Sequence, residues 1–496
     1  MNERLPVGWT TATLGEVVSG FEHGYTAKAD HRGRGPRFLR ISDLTHGRID
    51  WSAVPSCGIG SNALAKYRLV DGDLVFARTG SIEKACRVRN PPESVFASYL
   101  IRGRPVDQAL GPWLETFTSS YGYANQAAAA SAGIGRANVN AKSLARIELA
   151  LPPLPEQHRI VDVIESCFTR LDDAVATLSR VQRNLKRFRA SVLSAAVEGR
   201  LVPTEAALAR TESRDYEPAS VLLERILTER RHRWEKTGDR GKYQEPVAPD
   251  TSELPDTPEG WCWATADQIL WKITDGEHLS PTTTDHGVFL LSAKDVREEG
   301  VTFDESKFVS RDDADRFRRR CDPEPGDVLV VGRGATIGRT TVVQPCDSFC
   351  LMGSVILLKT APPTDSRYTS LYLRSQAVQR RLVALSVSAA QQAIYIRDLR
   401  ALPVALPPAA EQARAIESAE RLLSVADAVA IQVRAQSRRC ARLHQSIFKW
   451  AFDGRLVDQD PDDEPASVLM QRIAAERAAA GATKNGRVRR KDPRAA

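Results

Sequence analysis

Several signatures that would narrow the field are missing from this chain of 496 residues. Its eight cysteines, at positions 57, 86, 167, 262, 321, 346, 350 and 440, contain no CxxC. The nearest pair, Cys346 and Cys350, has no His or Cys partner at zinc-site spacing, so no structural metal is expected and the thiols read as reduced. No window approaches the ~18 consecutive apolar residues that span a bilayer, and the opening MNERLPVGWTT has no apolar core. The expectation is a cytoplasmic protein with no membrane partner. Charge of one sign is also scarce: 69 Lys and Arg against 62 Asp and Glu leave a net +7. That balance permits a polyanionic partner through local basic surfaces and excludes a wholesale polycation.

Catalytic patterns are absent too. The eight histidines are scattered, with no HExxH and no Ser-His-Asp order. GRGATIGRT (332–340) has glycines, yet Arg339 stands where a GxxxxGK(S/T) loop needs lysine and the spacing is wrong, so no nucleotide-phosphate cradle is expected. RNPPE (89–93) has the outline of the Asn-Pro-Pro-aromatic motif that holds a flipped base, but Glu93 cannot supply the stack, and the stretch reads as a turn. PDDEP (461–465) groups acids without an adjoining strand or lysine and reads as a helix lead-in.

What is present is a duplication. PVGW (6–9) recurs as PEGW (258–261), and DGDLVFARTGSI (71–82) as PGDVLVVGRGATI (325–337). SLARIELALPPLPEQ (143–157) recurs as DLRALPVALPPAAEQ (398–412), SVLSAAVEGRLV (191–202) as SIFKWAFDGRLV (446–457), and EPASVLLERI (217–226) as EPASVLMQRI (464–473). Order and spacing hold at one offset of about 250 residues, too long a period for a solenoid. The unit is a mixed domain, a long helix, a loop and a short helix. Short Val-, Ile- and Phe-rich runs bounded by Gly, Asp and Pro make residues 1–150 and 257–405 compact mixed domains. Residues 237–256 form a linker, and the basic segment 481–496 reads as a disordered tail in which Lys484, Arg487, Arg489, Arg490, Lys491 and Arg494 are solvated.

The doubled LPP ends a strand, because two prolines cannot donate to a ladder, and the Glu that follows complements a helix N-terminus. A helix is expected over about 156–198, with Gly199 as its stop, and at 1.5 Å per residue it is roughly 65 Å long. A shorter helix is expected over about 217–236, completing a spacer over 151–236, and a second helical spacer over 406–480. Ile164, Leu171, Leu178, Leu185 and Val192 alternate at three- and four-residue steps with positions 160, 167, 174, 181, 188 and 195. In the second copy Leu422, Val429, Gln436 and Leu443 alternate with 419, 426, 433, 440 and 447. Each helix has one seam and needs a partner, so the two are expected to pair as an intramolecular antiparallel coiled coil. Gln436 is the only plainly polar seam residue; it either fixes register at a cost in stability or snorkels at a loose seam.

RTGSIEKACRVR (78–89) and RGATIGR (333–339) combine arginine, a glycine turn and hydroxyls, a composition that suits DNA. The candidates here are Arg78, Thr79, Ser81 and Lys84 in the first domain and Arg333, Thr336 and Arg339 in the second. GIGRANVN (133–140) and SAAQQAIYIRDL (388–399) add Arg136, Asn138, Gln391, Gln392 and Tyr395. Tyr25, Thr26 and Lys28 near one domain start and His278 near the other complete the set.

The doubled LPPLPEQ and LPPAAEQ joints, the helices ending EGRLV and FDGRLV, the GDLVFARTGS and GDVLVVGRGAT strand-turns and the PxGW starts resemble the specificity subunits of type I restriction-modification systems. The resemblance covers about residues 5–478. It implies an α+β fold, with two mixed α/β target recognition domains separated by two long antiparallel coiled-coil helices in an internal pseudo-twofold repeat. It implies a non-catalytic subunit that reads a bipartite, asymmetric double-stranded DNA target. Two methyltransferase subunits would dock on the helices, with restriction-translocation subunits joining through them. No cofactor is implied for this chain; S-adenosylmethionine and ATP belong to the partner subunits. The second joint lacks the Leu-Pro before Glu411, and the basic tail lies outside the pattern. Two rivals stand beside this reading: a fused DNA-modification enzyme with an unrecognised active site, and a protein-only coiled-coil scaffold.

Overall fold

A computed structural model of the chain describes residues 5–45, 48–131, 138–236, 242–386 and 392–488. The chain divides into two compact units, residues 1–178 together with 435–496, and residues 179–434. In chain order the first mixed domain contributes β1 (Thr10–Thr13), β2 (Val18–His23), β3 (Arg37–Leu39), β4 (Leu74–Ala77), β5 (Ala85–Arg87), β6 (Ser94–Phe96), β7 (Leu100–Pro105), helix α1 (Gly111–Thr118) and β8 (Glu148–Leu151). Helices α2 (Leu154–Val197), α3 (Glu205–Glu212) and α4 (Ala219–Lys236) follow. The second mixed domain contributes β9 (Cys262–Thr265), β10 (Leu270–Asp275), β11 (Val288–Leu291), β12 (Lys307–Val309), β13 (Val328–Val331), β14 (Thr340–Val342), β15 (Phe349–Leu351), β16 (Val355–Thr360), α5 (Ser366–Arg374) and β17 (Pro403–Leu406). Helices α6 (Ala409–Phe452) and α7 (Ala466–Val488) follow.

The two mixed domains share their main topology, the second adding β12 antiparallel to β11. An antiparallel sheet runs β2-β7-β4-β5 in the first and β10-β16-β13-β14 in the second. Beside it β3 pairs in parallel with β6, and β11 with β15. The uninterrupted apolar runs LVFA and VLVV are the central strands β4 and β13, buried along their whole length. Their alternating side chains serve two cores: Leu74 and Phe76 face one cluster while Val75 and Ala77 face another. Val328 and Val330 part from Leu329 and Val331 in the same way. A strand covered on both faces has no polar positions to alternate, which is why these runs read as continuous.

The repeated joints come together through strand pairing. β1, just after PVGW, lies antiparallel to β8, just before LPP, with Thr10 opposite Leu151. β9 and β17 repeat this with Cys262 opposite Leu406. The pairing brings Trp9 to Glu156, whose carboxylate accepts from the indole Nε1 at 3.0 Å, and Trp261 to Glu411 at 2.9 Å. The glutamine after each glutamate closes the same turn: Gln157 donates to the Pro152 carbonyl at 2.8 Å and Gln412 to the Pro407 carbonyl at 3.0 Å. Each Glu-Gln pair thus ties helix to strand and to tryptophan. The glycines that stop the long helices, Gly199 at φ +67° and Gly454 at φ +65°, sit against the other half of the duplicated start. A Cβ on Gly199 would meet Pro258 and Trp261, and one on Gly454 would meet Pro6 and Trp9.

Within each unit the long helices run antiparallel. In the first, Arg159 pairs with Asp463 at 2.7 Å while Phe168, further along α2, stacks on His444 at 4.5 Å and meets Phe448 at 5.0 Å, so α2 rises as α6 falls. In the second, Arg189 pairs with Asp427, and Glu205 beyond the end of α2 meets Arg414 near the start of α6. The fold is α+β, with two mixed domains and two long antiparallel helices built from an internal repeat. Ile164 and Val192 are buried on α2, and Leu171, Leu178 and Leu185 are half-buried.

On α6 the seam differs from the sequence expectation. Ala426, Val433, Cys440 and Ile447 are buried, but the alternating partners are Leu423, Ala430, Ser437 and His444, all half-buried. Leu422 and Leu443 are half-buried flanks, while Val429 and Gln436 are exposed. The heptad is satisfied by four-residue steps from the buried positions where three-residue steps had been read, because small Ala430 and Ser437 carry no hydrophobic signal. Gln436 is therefore not a seam residue. A second difference lies at the C-terminus: the Ala-rich stretch carries α7 to Val488, beyond the expected tail boundary at 481, and residues 489–496 lie outside the described part.

The short helices tether the domains. In the first unit Ala466 donates to the Gly8 carbonyl at 2.9 Å and Arg477 to the Gly15 and Val18 carbonyls at 2.8 and 3.1 Å. In the second, Ala219 donates to the Gly260 carbonyl at 2.8 Å and Arg230 to those of Asp267 and Leu270.

Candidate nucleic-acid interface

The turn that leaves the central strand of each sheet is where the sequence placed its DNA candidates, and backbone bonds fix how the two copies correspond. Arg78 N–H donates to the Tyr99 carbonyl and Gly332 N–H to the Ser354 carbonyl, both at 2.9 Å. Val139 N–H donates to Arg78 O and Ile394 N–H to Gly332 O, both at 2.8 Å. Thr79 bridges to Asn138, and Arg333 to Ala393. Arg78 is thus the counterpart of Gly332, and Thr79 of Arg333. The expectation that the two arginines occupy corresponding positions fails by one residue, because the turn of the second copy, GRGATI, holds one residue more than RTGSI. On an extended segment that offset turns the side chains to opposite faces.

In the first domain Arg78 is half-buried, and its Nε lies in the interior. Nearby His23 is held below the usual imidazole range, first by burial and then by the Arg78 charge. Thr79 is half-buried and Asn138 is exposed beside it. Ser81 and Lys84 close the β4–β5 turn, with Lys84 N–H donating to Ser81 O at 3.0 Å. Tyr25 is half-buried against Tyr67, ring centres 5.5 Å apart, while Thr26 and Lys28 beyond it are exposed. Arg136 lies outside the described residues.

In the second domain Arg333 and Tyr395 line one open hollow of about 280 Å³, together with Asp275, Gly332, Gly353 and Arg397. Ile356, Ile394 and Ile396 give it an apolar floor. His278 stands at its rim with Nε2 2.9 Å from the Asp275 carboxylate, whose other oxygen accepts from Arg320. The Arg397 guanidinium lies 5.4 Å from the Tyr395 ring centre. Arg339 is turned away and donates to the Val296 carbonyl at 3.1 Å, and Thr336 is half-buried. Gln392 is exposed, and Gln391 lies outside the described residues. Sequence reasoning missed Asp275, Arg320, Gly353 and Arg397. For Asp275 and Gly353 the repeat carried a signal, since by strand register Asp275 corresponds to His23 and Gly353 to Ser98.

Among the described residues no group of three or more His, Cys, Asp or Glu is placed to hold a metal ion. No helix among them is long and apolar enough to cross a membrane.

This combination of duplicated mixed domains and long antiparallel helices is a known fold. The chain matches a chain of the structure described as "Structural basis underlying complex assembly and conformational transition of the type I R-M system" with a TM-score of 0.59 and 21% identity, covering 92% of this chain and 100% of that one. It matches the crystal structure of the HsdS subunit from Thermoanaerobacter tengcongensis with a TM-score of 0.54 and 19% identity, over 92% and 99% of the two chains. At such identities the likeness concerns the fold alone. Residues 6–177 match the family described as Type I restriction modification DNA specificity domain. The type I restriction enzyme EcoKI specificity subunit of Escherichia coli (strain K12) is 23% identical over 98% of both chains. Residues 6–177 thus carry the likeness to that domain family, and over nearly its whole length the chain is similar to type I restriction enzyme specificity subunits.

Proposed function

We propose that this chain is the non-catalytic DNA-reading subunit of a type I restriction-modification complex, and that it recognises a bipartite, asymmetric double-stranded target, one half-site per mixed domain. The observation that carries this reading is a single scaffold present twice with different chemistry at equivalent positions: Arg78 against Gly332, and Thr79 against Arg333. A common scaffold with divergent turn residues fits two readers of two different half-sites. Phosphate contacts would orient each reader while base contacts specify. The paired long helices supply the docking surface for two methyltransferase subunits, and restriction-translocation subunits join through those. S-adenosylmethionine and ATP are bound by the partners, in the cytoplasm, and no cofactor by this chain.

The test is a map of methylated bases in host DNA with the coding sequence intact, deleted and restored. One split, asymmetric motif is expected to vanish and return with the chain. Binding of S-adenosylmethionine by the purified chain would favour the fused enzyme, and an unchanged methylation map would favour the protein-only scaffold.

A further inference from the structure

Two glycines line the hollow beside β13. Gly332 stands where the first domain has Arg78, and Gly353 where it has Ser98. Without those side chains the Arg333 guanidinium and the Tyr395 ring border open space above an apolar floor of Ile356, Ile394 and Ile396. Among the described residues the one acidic side chain lining the hollow is Asp275, and both its oxygens are taken, one by Arg320 and one by His278. Arg333 is exposed, and among the described residues its guanidinium has neither a hydrogen bond nor an ion pair. A planar fork of donors thus borders an apolar hollow whose lining carboxylate, Asp275, is already satisfied. Arg397, by contrast, is spoken for by the Tyr395 ring and by Asp398 at 3.3 Å.

We infer that Arg333 reads a guanine edge in the half-site belonging to the second domain. Guanine presents two adjacent acceptors, O6 and N7, in the major groove, which match a bidentate guanidinium; adenine presents one acceptor beside a donor. The isoleucine floor and the Tyr395 ring suit the apolar part of a major-groove edge, such as a neighbouring thymine methyl, whereas a phosphate would use the charge of Arg333 and leave the apolar lining idle. The first domain cannot read this feature in the same way, since Thr79 holds the equivalent position and Arg78 points its Nε into the interior. The inference rests on the proposed role in DNA recognition and assigns one specificity-determining residue to it.

The experiment uses the complete chain assembled with its methyltransferase subunits. Methylation of genomic DNA is mapped for wild type, Arg333→Ala and Arg333→Lys, and binding to cognate and single-substituted duplexes is measured across salt concentrations. Arg333→Ala is expected to weaken the cognate duplex by roughly 10- to 100-fold and to admit other bases at one guanine position of one half-site, leaving the other half-site unchanged. Arg333→Lys keeps the charge and loses the fork, so it should relax the same position. Three results would overturn the assignment: uniform weakening on all duplexes with the motif intact and a salt slope smaller by about one, which marks a phosphate contact; relaxation at a position other than guanine; or wild-type behaviour of both variants. If the wild-type complex shows no sequence-selective methylation, the function itself is misread, an outcome distinct from these three.

Discussion

The Trp261 indole donates a hydrogen bond of 2.9 Å to the Glu411 carboxylate, and the pair is buried where domain, long helix and the loop after α2 converge. The same carboxylate accepts from the Glu205 backbone N–H at 2.8 Å. Trp9 and Glu156 repeat the contact in the first unit. A buried acceptor that loses its donor costs its desolvation, so Trp261→Phe is expected to lower the stability of the second unit by about 1–3 kcal/mol. Glu411→Gln keeps an acceptor oxygen and should cost less. Denaturant unfolding of the two variants orders them, and equal losses would count against the bond.

These carboxylates also set a pH dependence. Burial pushes the Glu156 and Glu411 carboxyls above their usual value of 4.5, against the weaker pull of hydrogen-bond donors, the Trp9 indole at Glu156 and the Glu205 N–H and then the Trp261 indole at Glu411. A folded-state value above the unfolded one means that the folded protein binds the proton more tightly. The resulting stability is fully present below pH 4.5 and is lost as pH rises through the raised values. The double variant Glu156→Gln, Glu411→Gln removes this component, so its stability relative to wild type should improve as pH rises from 4.5 towards neutrality. Unfolding midpoints across that range are the measurement; a constant difference would show that the carboxyls do not titrate differently on folding.

The revised seam of α6 has its own consequence. Gln436 is exposed and Val433, three residues earlier, is 6% exposed. Gln436→Leu is expected to change stability by less than about 0.5 kcal/mol, and Val433→Ala to cost roughly 1–3 kcal/mol through lost burial and the space left behind. A marked gain from Gln436→Leu would restore the seam first read from the sequence.

Gly199 ends α2 in the left-handed region, at φ +67°, and a Cβ there would stand 2.6 Å from Pro258 Cγ. The position combines a conformation that glycine tolerates with a close approach to the start of the second domain. Gly199→Ala is expected to destabilise by about 1–3 kcal/mol, from backbone strain and a displaced proline. An exposed control, Gly58→Ala, where a Cβ would meet nothing within 4 Å, should be near neutral in the same melt.

Much of this fold was legible because it is written twice. The strands before LPP, the long helices and their glycine stops come from local chemistry that proline, glutamate and glycine express wherever they occur. The contacts that lock them were not legible: nothing local to PVGW says that Trp9 meets Glu156, since the partners are brought together only by the pairing of β1 with β8. Repetition was the usable signal, as both members of the pair recur in the second copy. It was equally capable of misleading. Arg78 and Arg333 align by eye through their shared glycine turn, yet backbone bonding sets them one residue apart, and only three-dimensional register distinguishes the two. For the same reason the hollow was invisible, because glycines contribute by what they leave out.

If each mixed domain reads its half-site alone, specificity should be exchangeable in parts. Contacts from the first domain to the rest include the Trp9–Glu156 bond and those of Arg477 to the Gly15 and Val18 carbonyls. Replacing residues 1–150 by the equivalent domain of a related subunit that keeps the PxGW start preserves those anchors. The hybrid, assembled with methyltransferase subunits, is expected to methylate a target with one half-site changed and the other retained. Changes in both half-sites would mean that the readers are coupled, and loss of all methylation by a hybrid that still binds its partners would mean that the half-sites are not read independently.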